Sequence, residues 1–580
     1  MSSDALGFFG SIVYFQLQRV TLTHDGPTPG PFTDRRGGQV RILGINAVFH
    51  DPAAAVIVDG EIVAAAEEER FSRRKHGKRP VPFSTWELPD RAAAWCLEYA
   101  GISPAEIDAV GYSYDPSLVD HDLDGLDAGS EEMRTDYARR APAFLKTALP
   151  GLDPGVVRFV RHHVAHAASA ALAAPFPDSA VLVADGRGEA TSYLAGEYRD
   201  GKFEELASQR LPHSLGLLYE DLTEHLGFAR SSDEYKVMAL ASYGTPRFLP
   251  AFRELVHTTG DGGFRTEPIG WDSFAPRRTN TGELLPQHSD LAASVQHRLE
   301  DVLLELTTWL HERTGQSHLT LAGGIALNCV ANTRLHDEGP FERVWVQPAS
   351  GDAGTALGAA LHLAAELGER AEPMTGADLG REWSDAELET LLRQARVRYE
   401  RPADVAVTVA EALAGDSIVA WFQGRAEFGP RALGHRSLLA HPGRAANLGR
   451  LNEVKGREQF RPVAPMVLAE RAADLFGRGP LPSPYMLFIH DVAPKWRERL
   501  AAVTHVDGTA RAQTVDAAEN PLLHRMLREF DTLTGIPAVV NTSLNTAGRP
   551  MVDSPRDTLE LFGSAPVDLL ALGSFVVRRP

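Results

Sequence analysis

"RILGINAVFHDPAAAVIVDGEIVAAAEEE", residues 41–69, alternates short apolar runs with two polar breaks, and its reading decides the fold. The runs are rich in Ile, Val and Ala and bounded by turn residues. They spell strand, polar turn, strand, Asp59-Gly60 turn, strand. Asp-Gly suits a two-residue hairpin because both central residues take positive φ there. The pattern returns in "AVLVADGRGEATSYLAGEYRDGKFEELASQR", residues 180–210, with Asp200-Gly201 at the matching turn. Two copies of one three-strand opening predict a duplicated α/β domain with a ligand cleft between its halves. Two unrelated meanders would give the same pattern.

Between and after the copies, residues 83–103 and 289–315 read as amphipathic helices. "LTLAGGIALNCVAN" (319–332) and "VWVQPASGDAGTALGAALHLAAEL" (344–367) each read as strand, small-residue turn and helix. Residues 368–405 are charged and poor in aromatics. A domain boundary is therefore expected near 380–400, with 40–380 as the first domain, 381–400 as linker and 401–580 as a second α/β domain. Residues 1–39, ending in "DGPTPGPFTDRRGGQ", are expected to be a disordered extension or an over-long gene start.

A chain of 580 residues exceeds one ordinary core. No apolar run approaches the roughly 20 residues that span a bilayer. Two cysteines, Cys96 and Cys329, exclude a disulfide scaffold and a four-cysteine zinc site, and a reducing cytoplasm is the expected setting. A formal charge of -19 argues against nucleic acid and anionic membrane as partners. It suits a cationic small molecule, although acidity also serves solubility alone.

Three constellations carry candidate chemistry. In "RHHVAHA" (161–167), His162 and His166 stand four apart and share a helix face, with His163 about 100° away. Alone, the pair reads sooner as a polar helix face than as a metal site. Asp185, ending the strand "AVLVAD", and Asp352, in a strand-to-helix turn, supply two carboxylates that favour a divalent metal such as Fe, Zn or Mn. The small-residue turns holding Gly323, Gly324, Asn328 and Gly354 could offer backbone N–H groups to nucleotide phosphate or simply permit close packing. Neither turn matches a P-loop or Rossmann fingerprint. Third, residues 425–461 hold eight Arg or Lys against three Glu. With Arg511, Asn541, Ser543 and Asn545 they suit a small anion. "RRKHGKR" (73–79) reads as a solvated loop.

Taken together, "NAVFHDPAAA", "AAAEEERFSRRKHG", "HHVAH", "LAGGIALN", "SGDAGTALG", "GRAEFGPRALGHRS", "KGREQFRPVAP" and "NTSLN" resemble the NodU/CmcH family of O-carbamoyltransferases. The likeness is greatest to the nebramycin-type enzymes that carbamoylate aminoglycosides such as tobramycin or kanamycin. It runs from Val40 to Pro580. The resemblance implies a duplicated actin/hsp70-like (ASKHA) domain of the tRNA-threonylcarbamoyltransferase type, followed by a YrdC-like domain. It implies that the YrdC-like domain uses carbamoyl phosphate and ATP with Mg2+ to make carbamoyladenylate. The first domain would pass the carbamoyl group to an alcohol at an Fe2+ centre. Carried over by motif, the metal ligands are His162, His166, Asp185 and Asp352. Phosphate contacts are Arg425, Arg431, Lys455, Arg461 and Arg511, and Asn541 and Ser543 position substrate.

An alcohol needs a base at neutral pH. His50, in the first turn of the first repeat, is the expected candidate, with structural pairing to Asp51 as the rival reading. Asp122, Asp124, Asp127, Glu131 and Glu132 are expected to attract a polycationic acceptor. Other natural-product alcohols (nodulation factor, cephem, ansamycin) are alternative acceptors. A tRNA-modifying role would need a basic surface, and hydrogenase-maturation enzymes carry cysteine clusters that two cysteines cannot supply. The non-enzymatic alternative is an actin-like nucleotide-binding regulator. Assembly stays open between monomer and homodimer.

Overall fold

The computed structural model describes residues 38–77, 87–120 and 128–579; the expected N-terminal extension lies outside these, save residues 38 and 39. Residues Gln39–Pro580 form one compact unit. Its first sheet contains β1 (Arg41–Asn46), β2 (Ala53–Val58), β3 (Glu61–Glu67), β4 (Ala109–Tyr112) and β5 (Val157–Phe159), in the order β3-β2-β1-β4-β5. A second sheet contains β6 (Ser179–Ala184), β7 (Thr191–Arg199), β8 (Lys202–Arg210), β9 (His318–Ala322) and β10 (Arg343–Val346), in the order β8-β7-β6-β9-β10.

The two orders are the same. In each sheet an antiparallel three-strand meander continues into two parallel strands. The echo in the sequence is thus a repeat of topology. Both hairpin turns adopt the backbone their residues favour: Asp59 and Gly60 at φ 51° and 85°, Asp200 and Gly201 at φ 51° and 71°.

Helix α1 (His162–Ala171) and helix α2 (Ala353–Glu366) pack between the sheets, and both are rich in alanine and other small residues. Size is what lets the layers approach. A Cβ on Gly44 of β1 would lie 1.8 Å from the Ala356 carbonyl oxygen, and one on Gly358 would lie 1.7 Å from that of Ala165. Only backbone fits there, so α1 and α2 are held against each other and Asp352, at the start of α2, meets the histidines of α1. Gly358→Ala is expected to destabilise the chain by about 1–3 kcal/mol, read by urea unfolding, because the added methyl must push the helices apart.

The remaining chain builds a mixed seven-stranded sheet. Its order is Gln513–Val515, Ala464–Leu468, Ala538–Ser543, Arg436–Ala440, Val419–Phe422, Leu569–Leu572, Phe575–Arg578. Residues 381–400, read from sequence as a linker, carry the helix Asp385–Gln394. Its Leu388 and Leu392 are buried in the core of this sheet. The charged residues that suggested a connector are that helix's outer face. Among the described residues no helix is long and apolar enough to cross a membrane. Both cysteines are buried and unpaired.

Candidate active site

Four side chains from three separate segments of the chain meet beside the N-terminal halves of α1 and α2. His162 Nε2 lies 3.5 Å from Asp185 Oδ2 and 3.6 Å from Asp352 Oδ1; His166 Nε2 lies 3.8 Å and 3.6 Å from the same atoms. All four residues are buried. These separations are too long for hydrogen bonds. They match an ion bonded at about 2.1 Å, whose tetrahedral ligand atoms stand about 3.4 Å apart. His162 Nδ1 donates to the Ser113 carbonyl at 3.1 Å, which leaves the Nε2 lone pair facing the cluster. Asp185 is oriented through its other oxygen, which accepts the Gly324 N–H at 2.9 Å.

The fit to a divalent metal rests on orphaned atoms. His162 Nε2 and both ring nitrogens of His166 are buried without a hydrogen-bond partner, an arrangement that costs about 1–3 kcal/mol per group unless something else binds there. Burial opposes charge on His162, Asp185 and Asp352, yet the attraction between imidazole and carboxylates outweighs it. His162 is held well above the ordinary imidazole range, and Asp185 and Asp352 below the ordinary carboxylate range. His163 stands apart as expected, its Nδ1 on Thr191 Oγ1 at 2.8 Å.

A cavity of about 1150 Å³ runs from this cluster to the C-terminal sheet. Arg431, Lys455, Arg457, Arg461 and Arg511 border it. Arg431 is pulled down to about 9 by burial and by neighbouring Arg511; Arg457 falls to about 9 by burial and by Arg461. The Nε atoms of Arg431 and Arg511 are buried without partners, as is Asn541 Oδ1 on the same wall. Cations crowded this way, with few carboxylates, form a site for an anion. Lys455 has a different place from the one expected. Its ammonium reaches Ser543 Oγ at 2.9 Å and Asn545 Oδ1 at 2.6 Å, bracing the "NTSLN" loop.

Several expected site residues lie elsewhere. The Arg425 guanidinium donates to the carbonyls of Val63, Leu379 and Gly380, away from the cavity. It tethers β3 to the chain before the C-terminal sheet, a role that its arginine-rich neighbourhood does not reveal. Gly323 and Gly354 do not border the cavity; a Cβ on either would strike a carbonyl, that of Ala184 at 2.2 Å or Ala349 at 2.0 Å. Their smallness serves packing. Gly324 borders the cavity, but its N–H is given to Asp185. Asn328 also borders it while capping the helix Cys329–Glu338 and bonding Gln296.

Among the acidic residues expected to attract a cation, Glu131 is spent on Arg134 and Arg187. Asp122, Asp124 and Asp127 lie outside the described residues. Conversely, Lys75 and His76 of the "solvated" loop border the cavity, as does Arg457. His50 borders it too, with Nδ1 2.7 Å from Asp51 Oδ2 and Nε2 2.5 Å from the Ser231 carbonyl.

Fold and cavity define an α/β protein in which a metal-competent cluster and an anion pocket share one space. Residues 41–152 and 145–361 match the family carbamoyltransferase N-terminus, and residues 410–579 match carbamoyltransferase C-terminus. Nodulation protein NolNO of Sinorhizobium fredii is 38% identical over 563 residues, covering 92% of this chain and 80% of that protein. Nodulation protein U of Rhizobium tropici is 30% identical over 562 residues, covering 88% and 92%. Among solved structures, HypF of T. kodakarensis is similar at a TM-score of 0.31 and 15% identity, over 57% of this chain and 49% of that one. The chain belongs to the carbamoyltransferase family.

Proposed function

We propose that the chain is an ATP-dependent O-carbamoyltransferase. It forms carbamoyladenylate from carbamoyl phosphate and ATP with Mg2+ at a YrdC-like C-terminal domain, and carbamoylates the hydroxyl of a small molecule at the actin-like domain. The observation that carries this reading is the single cavity bordered both by Arg431 and Arg511, whose Nε atoms lack partners, and by Asp185 and Asp352, the two carboxylates of the His162–His166–Asp185–Asp352 cluster.

In the first step water cleaves carbamoyl phosphate to carbamate and inorganic phosphate; a carbamate oxygen then attacks the α-phosphorus of ATP and pyrophosphate leaves. Arg431, Arg457 and Arg511 hold the phosphate oxygens, and Asn541 and the Lys455-braced Ser543 wall the pocket. The second step joins the acceptor oxygen to the carbamoyl carbon and releases AMP. His162, His166, Asp185 and Asp352 would hold Fe2+ or another divalent ion, which when bound would supply positive charge beside the leaving phosphate. The acceptor hydroxyl takes the place of the Ser231 carbonyl on neutral His50, which receives its proton at Nε2 while Asp51 holds Nδ1–H.

The acceptor we infer is a cationic antibiotic, an aminoglycoside such as tobramycin or kanamycin. Glu69 and Glu234 border the cavity and support a cationic ligand, as does the charge of -19; Glu220, also on its wall, is paired with Arg230. The nodulation proteins among the relatives favour a second acceptor class, an oligosaccharide of the nodulation-factor kind. Exchange of labelled pyrophosphate into ATP, stimulated at least tenfold by carbamoyl phosphate, is the expected result. ATP binding with no stimulation of exchange above background would instead favour a nucleotide-binding regulator. A panel of tobramycin, kanamycin, a chitin oligosaccharide and a cephem then identifies the acceptor.

A further inference from the structure

His50 does not stand alone at its end of the cavity. Asp51 is shared: Oδ2 lies 2.7 Å from His50 Nδ1 and Oδ1 lies 2.8 Å from His76 Nδ1. The two rings are 4.4 Å apart. Beyond the rings, two consecutive residues complete the arrangement. The Ser231 carbonyl is 2.5 Å from His50 Nε2, and Ser232 Oγ is 3.1 Å from His76 Nε2. The chain between Asp51 and His76 is the hairpin and the short helix Glu68–Ser72, so the pairing is made by tertiary folding.

The backbone here is strained. Phe49, Asp51, His76 and Ser231 all take positive φ, at 64°, 45°, 60° and 55°, although none is glycine. Each such residue costs on the order of 1 kcal/mol or more, and such positions gather where function holds them. The strain also sets the approach to the metal-competent cluster, since the Phe49 ring packs edge-on against His162 at 5.2 Å. Asp51 is kept below the ordinary carboxylate range; burial alone would raise it, and the two imidazoles more than reverse that.

We propose that His76 is a positioning residue for transfer to the acceptor. It occupies the second oxygen of Asp51 and thereby fixes that carboxylate in the orientation that points His50 Nε2 at the reacting hydroxyl. This rests on the O-carbamoyltransferase reading, with His50 receiving the hydroxyl proton. His76 itself transfers no proton to or from substrate. A carboxylate bound on one side only can rotate, and His50 turns with it.

The test uses the full chain and the best acceptor of the tobramycin, kanamycin, chitin oligosaccharide and cephem panel. His76→Ala is expected to lower kcat of transfer about tenfold to a hundredfold, as loss of an orienting partner does elsewhere. KM for the acceptor and carbamoyl-phosphate-stimulated pyrophosphate exchange should stay within about twofold. His76→Asn should restore transfer to within about threefold of wild type. Its amide N–H replaces Nδ1–H, and asparagine tolerates the left-handed backbone that strains alanine.

Transfer by His76→Ala within twofold of wild type, equal loss of exchange and transfer, or no restoration by Asn would each overturn the role of His76 while the activity stands. So would a second metal equivalent lost in His76→Ala, which would make the trio a ligand set. Absence of stimulated exchange, or of transfer to every acceptor by the wild type, would overturn the activity and this role together.

Discussion

His166→Ala is expected to take bound divalent metal from about one equivalent per chain to background and to abolish carbamoyl transfer. Its two ring nitrogens are buried without partners, so the imidazole has nothing but an ion to compensate for its desolvation. Deleting it removes one ligand of four and one buried polar group together. The variant should therefore fold, and metal analysis of the purified protein can be read directly. A second readout is independent of activity. A chelator should lower the melting temperature of the wild type, because an ion that binds only the folded state stabilises it. The same chelator should leave His166→Ala unmoved. Retention of the metal by the variant would return "RHHVAHA" to a polar helix face.

Arg431→Met should reduce stimulated pyrophosphate exchange by about a hundredfold or more, comparable with loss of one preorganised charge-stabilising donor. It should do so without lowering the melting temperature of the ligand-free protein. Arg431 is buried beside Arg511 and holds one protein acceptor, the Leu327 carbonyl at 3.3 Å. Burial and like charge both disfavour its ionised form, so the empty pocket gains little from it and methionine fills much of the same volume. Only a bound phosphate turns the arginine into a stabilising residue. A variant that loses exchange by unfolding would melt lower, and that outcome would make Arg431 structural. The expected split, activity lost and stability kept, marks a group retained for its ligand.

The anion pocket separates what local sequence shows from what it conceals. Arg425 and Arg431 share one glycine-rich stretch and one charge environment, yet one ties three carbonyls behind the sheet and the other faces the cavity. Residue type pointed to an anion site but could not say which guanidinium borders the cavity. That depends on side-chain direction, which the strand Arg436–Ala440 and the loops before it impose. Lys455 is similar. Its charge suggested phosphate, whereas the "NTSLN" loop, folded beside it, accepts hydrogen bonds from its ammonium.

The repeated strand–turn–strand order was legible because hairpin formation is local: Asp-Gly turns and alternating apolar runs act within about ten residues. The histidine spacing was legible for the same reason, since i and i+4 share a helix face whatever surrounds the helix. The sequence by itself therefore determined the duplicated opening, the helix bearing His162 and His166, and the concentration of cations in the second half. Only the tertiary structure decided that glycines at 44 and 358 let α2 carry Asp352 to those histidines. It alone placed His76, from a loop that reads as solvated, on the free oxygen of Asp51. Such meetings arise from packing between segments far apart in the chain, and no local pattern records the partner a side chain will find.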